Sequence, residues 1–541
     1  MKTKWYKKET VYQIYPRSFN DSNGDGIGDL QGIIRKLDYL KDLGVGIIWL
    51  SPIYSSPMAD NGYDISDYLN IHHEFGTMAD FDELITKAHQ KGLKLIMDLV
   101  INHTSDEHPW FIEASKSKDS PYHDYYLWKD KPNNWTSFFG GKAWEYNKAT
   151  NEYYLHLFHK KQPDLNWENP KVREEIKGIL RFWLDKGVDG FRCDVINLLS
   201  KKSGLPNGFP SPVLCGHEHY LNGPKIHDYL QELKRDVFNH YDCFTVGECV
   251  FLNPKKALTY IEDEKELNMV FQFEHMMADN FFIKWFPIKY KPLKLKKAFV
   301  KWQYQINPKA WNTLYLENHD QPRSVSRFGS QEYHYASCSM LATILLLQKG
   351  TAFIYQGQEI GMTNAPFFDI NDYRDIETLS MYKNFSPLFG KKKMMSKIQK
   401  MSRDHARTPM QWDNSLNAGF SKATPWLKVN DNYHTINVKN NLENPNSLYY
   451  YYQKLLKLRQ EEVFLLGTFI DRFPCHKTIF FYKRLYKGKE VIVVANMTKK
   501  NKVKVSFNFN NYQLLISNYE NNLQYFQAYE VRVYQKENEN D

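Results

Sequence analysis

Eight short apolar runs recur along this chain, at residues 11–15, 45–50, 94–101, 189–196, 244–248, 269–273, 313–316 and 352–355. Each is followed by a helical pattern or by a long polar excursion. Residues 30–43, 78–91, 172–185 and 225–238 carry the three-to-four-residue apolar spacing of amphipathic helices. A short strand feeding a helix, repeated eight times, predicts a parallel (β/α)8 TIM barrel, an α/β fold. The alternation breaks after the third run. Residues 104–171 are rich in Trp, Tyr, Lys, Asp and Asn and too long for a structureless loop, so they read as a small inserted domain. The barrel then resumes over residues 172–463, completing the part begun in residues 1–103. Beyond a helical stretch at 448–458, alternating runs at 478–483, 490–496 and 502–507 predict a separate antiparallel β domain over 464–541.

In such a barrel the chemistry gathers at the C-terminal ends of the strands. Those ends supply Asp98 and His103 after the third strand, Arg192 and Asp194 on the fourth and Glu248 on the fifth. His319 with Asp320 follow the seventh, and Glu359 follows the eighth. Side chains alternate faces along a strand, so Arg192 and Asp194 point the same way and Cys193 the other. A guanidinium beside a carboxylate favours its ionised form. By themselves these two residues read better as a structural ion pair. Three acids on three strand ends facing one mouth are a different matter, since like charges brought together cost stability. One ionised and one protonated carboxyl flanking a bond is the requirement of retaining glycoside hydrolysis. Asp194 then attacks the anomeric carbon, and Glu248 protonates the leaving oxygen before activating water. Asp320 raises the pKa of Glu248 by like-charge repulsion.

Composition excludes other classes. The net charge of +9 comes from scattered basic residues, with one run at 391–393, so no nucleic-acid stripe is present. The longest greasy run, 340–347, is too short to span a bilayer, and the basic N-terminus leads into no signal-peptide core. Six cysteines lack CxxC spacing and predict free thiols in a reducing cytoplasm. The expectation is a monomer acting on a small sugar substrate, with neither nucleic acid nor membrane as partner and no organic cofactor.

One loop suggests a cation. In Asp21-Ser-Asn23-Gly-Asp25-Gly26-Ile27-Gly-Asp29, oxygen donors alternate as at the start of an EF-hand loop, with the Ile27 carbonyl among them. The twelfth position is Gly32 instead of Glu, so Asp29 has to supply the last carboxylate. A plain Asn/Gly/Asp turn is the alternative.

Four stretches, Asp98-Leu-Val-Ile-Asn-His103, Gly190-Phe-Arg-Cys-Asp194, Val246-Gly-Glu248 and Glu317-Asn-His-Asp320, resemble in order and spacing the short signature regions of the α-amylase family of glycoside hydrolases. Gln162-Pro-Asp-Leu-Asn-Trp167 resembles the extra motif of the branch holding oligo-1,6-glucosidases, dextran glucosidases and trehalose-6-phosphate hydrolases. The resemblance implies Asp194 as nucleophile, Glu248 as acid/base and Asp320 as the carboxylate that binds the sugar's 2- and 3-hydroxyls. It implies that Arg192, His103 and His319 hold the glucosyl unit, on an aromatic floor of Tyr63 and Phe158. Asp60 and Arg407 resemble the pair that closes the pocket on the non-reducing 4-hydroxyl, which makes the enzyme cut from the chain end. The Asp21–Asp29 loop resembles a calcium site in this branch. Val195, after the nucleophile, resembles the α-1,6-cleaving enzymes, a steric lever of ~1–2 kcal/mol. The implied activity is release of α-glucose from isomaltose and isomalto-oligosaccharides. Trehalose-6-phosphate hydrolysis, or a broader α-glucosidase or dextran glucosidase activity, is the alternative. A non-catalytic scaffold is more remote, because such relatives lose catalytic carboxylates and this chain keeps all three. The stretch Cys249-Val-Phe-Leu-Asn253 departs from the branch's usual leaving-group turn.

Overall fold

A computed structural model describes residues 4–211, 213–281, 283–520 and 525–537. Eight strands form its central sheet: β1 (Thr10–Ile14), β2 (Ile47–Leu50), β3 (Lys94–Leu99), β4 (Gly190–Cys193), β5 (Phe244–Glu248), β6 (Met269–Phe271), β7 (Thr313–Leu314) and β8 (Thr351–Tyr355). All the pairings are parallel, in the order β6-β5-β4-β3-β2-β1-β8-β7. The seam between β6 and β7 is closed by side chains: the Thr313 hydroxyl donates to the Val270 carbonyl at 2.9 Å and the Tyr315 hydroxyl to that of Gln272 at 2.7 Å. Parallel strands buried on both faces read as apolar runs, and here Ile47, Ile48, Val246 and Ile354 are fully buried.

Gly190 sets the register of the strand that carries the chemistry. It has φ +150°, and a Cβ there would lie 1.9 Å from the Phe244 carbonyl oxygen of β5. Only glycine admits that approach, and it brings Arg192 opposite Asp98 on β3 and Val246 on β5.

The expected helices form, with one change. Residues 30–43 divide into Leu30–Ile34 and Leu37–Leu43, broken at Lys36, which leaves helical geometry with its ammonium 4.0 Å above the Trp412 ring. The segment after β3 holds an antiparallel three-stranded sheet of Trp128–Lys129, Glu152–Leu155 and Trp144–Asn147. A bridge between His103 and Asp164 ties it back to the barrel mouth.

The C-terminal sheet is antiparallel, in the spatial order Thr468–Asp471, Ile479–Tyr486, Lys489–Asn496, Val531–Lys536 and Tyr512–Ser517. The strand expected at 502–507 is reduced to Val503–Lys504, paired with Tyr525–Phe526 outside this sheet. Phe507 instead packs edge-on against Phe481, with ring centroids 5.0 Å apart. Two buried arginines meet at the end of the helix His334–Leu346, and the one on the C-terminal sheet, Arg484, fastens that sheet to the barrel. Arg459 donates to the Leu346 carbonyl (2.7 Å) and to that of Gly350, and Arg484 to those of Leu347 (2.8 Å) and Gly467 (2.9 Å). Cations at a helix C-terminus complement its dipole and its unpaired carbonyls. Burial nevertheless pushes the Arg484 pKa down to about 9. Arg484→Ala is expected to lower unfolding stability by roughly 2–4 kcal/mol, read as a fall in the urea midpoint. An unchanged midpoint would mean that burying the charge costs as much as its bonds contribute.

Candidate active site

Arg192 is at the centre of the barrel mouth, 1% exposed. Its Nη1 donates to Asp98 Oδ1 and Asp194 Oδ1, each at 2.6 Å, and its Nη2 donates to Glu248 Oε2. Arg192 and Asp194 therefore share a face, as the alternation predicts, while Cys193 packs into the hydrophobic core. Asp98 also accepts from Trp49 Nε1 (3.1 Å) and the Tyr63 hydroxyl (3.0 Å), so it is a buried brace for Arg192.

Over this floor opens a cavity of about 170 Å³, room for a single hexose. Asp194, Glu248, Asp320, Asp60, Tyr63, His103, Phe158 and Val195 all line it, so sequence positions far apart converge there. Asp60 is aimed inward because the Asp64 carboxylate accepts both the Ala59 and Asp60 N–H groups, at 2.8 and 2.9 Å, which bends the loop. Phe158 packs against His103 and Phe138, with ring centroids 5.2 and 5.1 Å apart. Val195 lies in the left-handed region, φ 34° and ψ 41°, a strained conformation for a β-branched residue. That turn places its side chain against the cavity immediately after Asp194.

Three expectations change. Asp60 pairs with Arg403 Nη2 at 2.9 Å, and not with Arg407. Arg407 is fully buried behind Asp320, donating to Asp320 Oδ1 at 2.7 Å and to the His319 carbonyl at 3.0 Å. Of the two arginines, only Arg403 reaches the cavity wall, where its guanidinium also meets Asp320 (3.3 Å) and Asp375 (2.6 Å). Sequence reasoning missed it, although it stands four residues before Arg407 and so on the same side of a helical turn. His319 also lies behind the wall, stacked on Tyr63 with ring planes 6° apart. Gln13 Nε2 donates to its Nδ1 (2.8 Å), so Nε2 carries the proton and faces the Tyr63 oxygen (2.6 Å) and Asp320 Oδ2 (3.1 Å). Glu359 leaves the mouth altogether. It accepts the hydroxyls of Tyr12 (2.7 Å) and Tyr39 (2.6 Å), joining β1 to the helix outside it. Gln162, noticed only as part of a motif, donates to Asp60 Oδ2 at 3.2 Å and lies as close to His103 Nε2.

The donors expected to hold a cation lie on one loop but are not gathered. Asp21 accepts the N–H groups of Asn23 (3.1 Å), Gly24 (2.6 Å) and Gly26 (2.8 Å) and the Ser421 hydroxyl (2.5 Å). Asn23 and Asp25 bond within the loop, Asp25 accepting the Ile27 N–H at 2.8 Å, and Asp29 caps the next helix through the Gly32 N–H. Among the described residues no group of three His, Cys, Asp or Glu side chains is placed to hold a metal.

The profile of the α-amylase catalytic domain matches residues 13–467, most of the chain. The chain belongs to the α-amylase family. An oligo-1,6-glucosidase of Parageobacillus thermoglucosidasius is 54% identical over 537 residues, covering 96% of each chain. One from Bacillus cereus is 51% identical over 540 residues, again covering 96% of each. The crystal structure of Bacillus licheniformis trehalose-6-phosphate hydrolase superposes with a TM-score of 0.92 at 43% identity, covering 99% of this chain and all of that one.

In this α-amylase-family site the charges are divided unequally. Burial, then the charges of Asp194 and Asp320, push Glu248 up to about 8 against the pull of Arg192. Burial raises Asp194 to about 7, again against Arg192. These values belong to the pair. With Glu248 holding the shared proton, Asp194 is left as the anion on Arg192. Asp320 is held well below the ordinary range by His319, Arg403 and Arg407 in spite of its burial. Burial takes His319 and His103 down to about 4, so both are neutral. We therefore expect kcat/KM to follow a narrow bell with limbs near pH 7 and pH 8. In Asp320→Asn, which removes a negative charge from beside Glu248, the residual activity should lose its alkaline limb at lower pH. A limb that stays or moves up would contradict this charge arrangement.

Proposed function

We propose that this protein is an exo-acting, retaining α-glucosidase that hydrolyses the α-1,6 bonds of isomaltose and isomalto-oligosaccharides from the non-reducing end, as a monomer in the cytoplasm. One observation carries the reading: Asp194 and Glu248 sit on neighbouring nitrogens of one guanidinium, at the floor of a cavity one sugar deep. Their shared guanidinium keeps them close together, in keeping with the shorter of the two carboxyl separations, about 5–5.5 Å, that double displacement uses. The Asp194 carboxylate attacks C1, the bond from C1 to the leaving oxygen breaks, and Glu248 gives its proton to that oxygen. The glucosyl unit is then an ester of Asp194. Glu248, now a carboxylate, takes a proton from water as the water oxygen attacks C1, and Asp194 is released with α-configured glucose. Asp320 stays ionised to accept the ring hydroxyls, and the Asp60–Arg403 pair blocks the far end so that only a terminal unit fits.

The linkage rests on the relatives named for it and on Val195. Trehalose 6-phosphate would need a free cation beside the leaving group. Of the three lysines lining the approach to this cavity, Lys142, Lys284 and Lys301, two already have acidic partners, Lys284 on Glu377 (2.5 Å) and Lys301 on Glu274 (2.9 Å), which favours an uncharged leaving sugar. A cytoplasmic setting accords with six cysteines that are all free thiols. Among the described residues no helix is long and apolar enough to cross a membrane. Glucose release should be fastest from isomaltose in a panel with maltose and trehalose 6-phosphate, and Val195→Thr should shift the preference toward maltose by roughly tenfold, the scale of one to two kcal/mol. Fastest release from trehalose 6-phosphate would transfer the assignment to that hydrolase.

We also propose that the Asp21–Asp29 loop binds calcium by drawing Asp21, Asn23, Asp25, the Ile27 carbonyl and Asp29 together from the bonds they make within the protein. Hard oxygen donors alternate along it, and Gly26, at φ +94°, makes the tight turn that EF-hand loops require at this position. Calcium at a hundred times its Kd should then raise unfolding stability by about 2.7 kcal/mol over chelated protein. Asp25→Ala, which is exposed, should abolish that increment. Equal midpoints with calcium and with chelator would remove the ion from the account.

A further inference from the structure

Strand β1 carries a single amide, Gln13, beside Thr10, Val11, Tyr12 and Ile14, and all five residues are buried. Alternation along the strand sends Tyr12 outward to Glu359 and Gln13 inward. Barrel interiors are filled chiefly by branched apolar side chains, so an amide there has to find polar partners. Both hydrogens of the Gln13 nitrogen are used: one goes to Ser51 Oγ (3.1 Å) and one to His319 Nδ1 (2.8 Å). The amide oxygen, equally buried, has no hydrogen-bond partner among the described residues. Such orphans are rare. Turned over, the amide would offer that oxygen both the Ser51 hydroxyl and an Nδ1–H, so its orientation is imposed from farther along.

Two carboxylates impose it. Asp98 Oδ2 accepts, and the Tyr63 hydroxyl donates to it at 3.0 Å. With its hydrogen spent there, the Tyr63 oxygen accepts from His319 Nε2, 2.6 Å away. Asp320 Oδ2 lies 3.1 Å from the same nitrogen and needs a hydrogen there too. In a neutral ring Nδ1 is then left with its lone pair, and that is what the Gln13 N–H meets. One directed path results, from Gln13 through His319 and Tyr63 to Asp98, with a branch to Asp320. Reversed, it would turn a lone pair of Nε2 toward Asp320 and take the Tyr63 hydrogen away from Asp98. Asp320 Oδ2 has no other bonded partner among the described residues, since Arg403 and Arg407 both donate to Oδ1.

We propose that Gln13 is a positioning residue for the glucosyl pocket: its amide fixes the tautomer of His319, and so keeps a donor on both Asp320 and Asp98. The kinetic consequence rests on the α-glucosidase reading above. Gln13 itself lies behind His319 and does not line the cavity. Asp320 meets the cavity on one side and His319 on the other, so a hydrogen on Nε2 orients the carboxylate and leaves its remaining lone pairs to the ring hydroxyls. Bonds to the 2-hydroxyl strengthen in the oxocarbenium-like transition state, so a loosely held carboxylate costs turnover more than binding. Without a donor at Nδ1 the proton is shared between the two ring nitrogens, and part of the population faces Asp320 with a lone pair.

The test reads the tautomer directly, from two-bond proton–nitrogen NMR correlations of the full chain labelled with 15N-histidine. The His319 signals are those that disappear in His319→Gln. In the wild type Nε2 should carry the proton and Nδ1 none; a proton on Nδ1 would overturn the assignment without any variant. Gln13→Met and Gln13→Leu fill the same space without a donor, and in whichever folds part of the proton should move to Nδ1. There kcat on isomaltose should fall by roughly tenfold or more, with KM changed less, as expected for a weakened hydrogen bond to a charged group. A ring that keeps the wild-type pattern would overturn the proposal, because any lost activity would then belong to packing. So would an altered ring with wild-type kcat. If the wild type does not cleave isomaltose, the α-1,6 reading falls, and the same comparison of kcat is made on 4-nitrophenyl α-glucoside. Inactivity on both substrates would overturn the α-glucosidase reading and the positioning role with it.

Discussion

The Arg192 guanidinium joins three strands of the barrel, through Asp98 on β3 and through Asp194 and Glu248 at the ends of β4 and β5. Three carboxyls cannot be buried together in water-poor surroundings unless a cation offsets them. The cation in turn is tolerated because those carboxyls surround it. Removing either side would leave uncompensated charge at the barrel mouth, so the geometry of the candidate site and local stability depend on the same contact. The guanidinium is planar and holds the Asp194 and Glu248 carboxyls on neighbouring nitrogens, while burial and the neighbouring acids give them different pKa values in a common site.

A second arginine group performs a different task at the wall. Arg403 links Asp60, Asp320 and Asp375, and Arg407 supports Asp320 from behind. The effect is to hold Asp320 ionised while closing the cavity beyond a single sugar. Outside this charged end the character changes, since the larger cavity beyond it, of about 1000 Å³, presents apolar side chains such as Phe385, Leu252, Met277 and Met381. Phe138 and Phe273 line both cavities and stand at the boundary between them.

Much of this was legible in the chain. The barrel followed from apolar runs of strand length alternating with helical spacing, since a parallel sheet covered on both faces needs them. Arg192 and Asp194 had to share a face because they are two residues apart on a strand, a relation that covalent geometry imposes. The helix at 30–43 was misread in one respect, its break at Lys36, where the apolar spacing continues although the backbone turns. The strand at 502–507 failed because Phe507 found a ring to pack against outside the ladder. Neither event leaves a local signature.

What the sequence determined by itself was therefore everything carried by short-range spacing: the eight strands, the acids at their ends and the loop of alternating oxygens. Only the tertiary structure decided how charges meet across the barrel. Asp60 and Arg403 are 343 residues apart, and no local rule distinguishes Arg403 from Arg407 as the partner. Glu359 follows a strand as Asp320 does, yet turns outward, where the Tyr12 and Tyr39 hydroxyls donate to it. Side-chain period fixes a face. The partner on that face, and the proton each carboxyl keeps, depend on distances and burial that exist only after the barrel has closed.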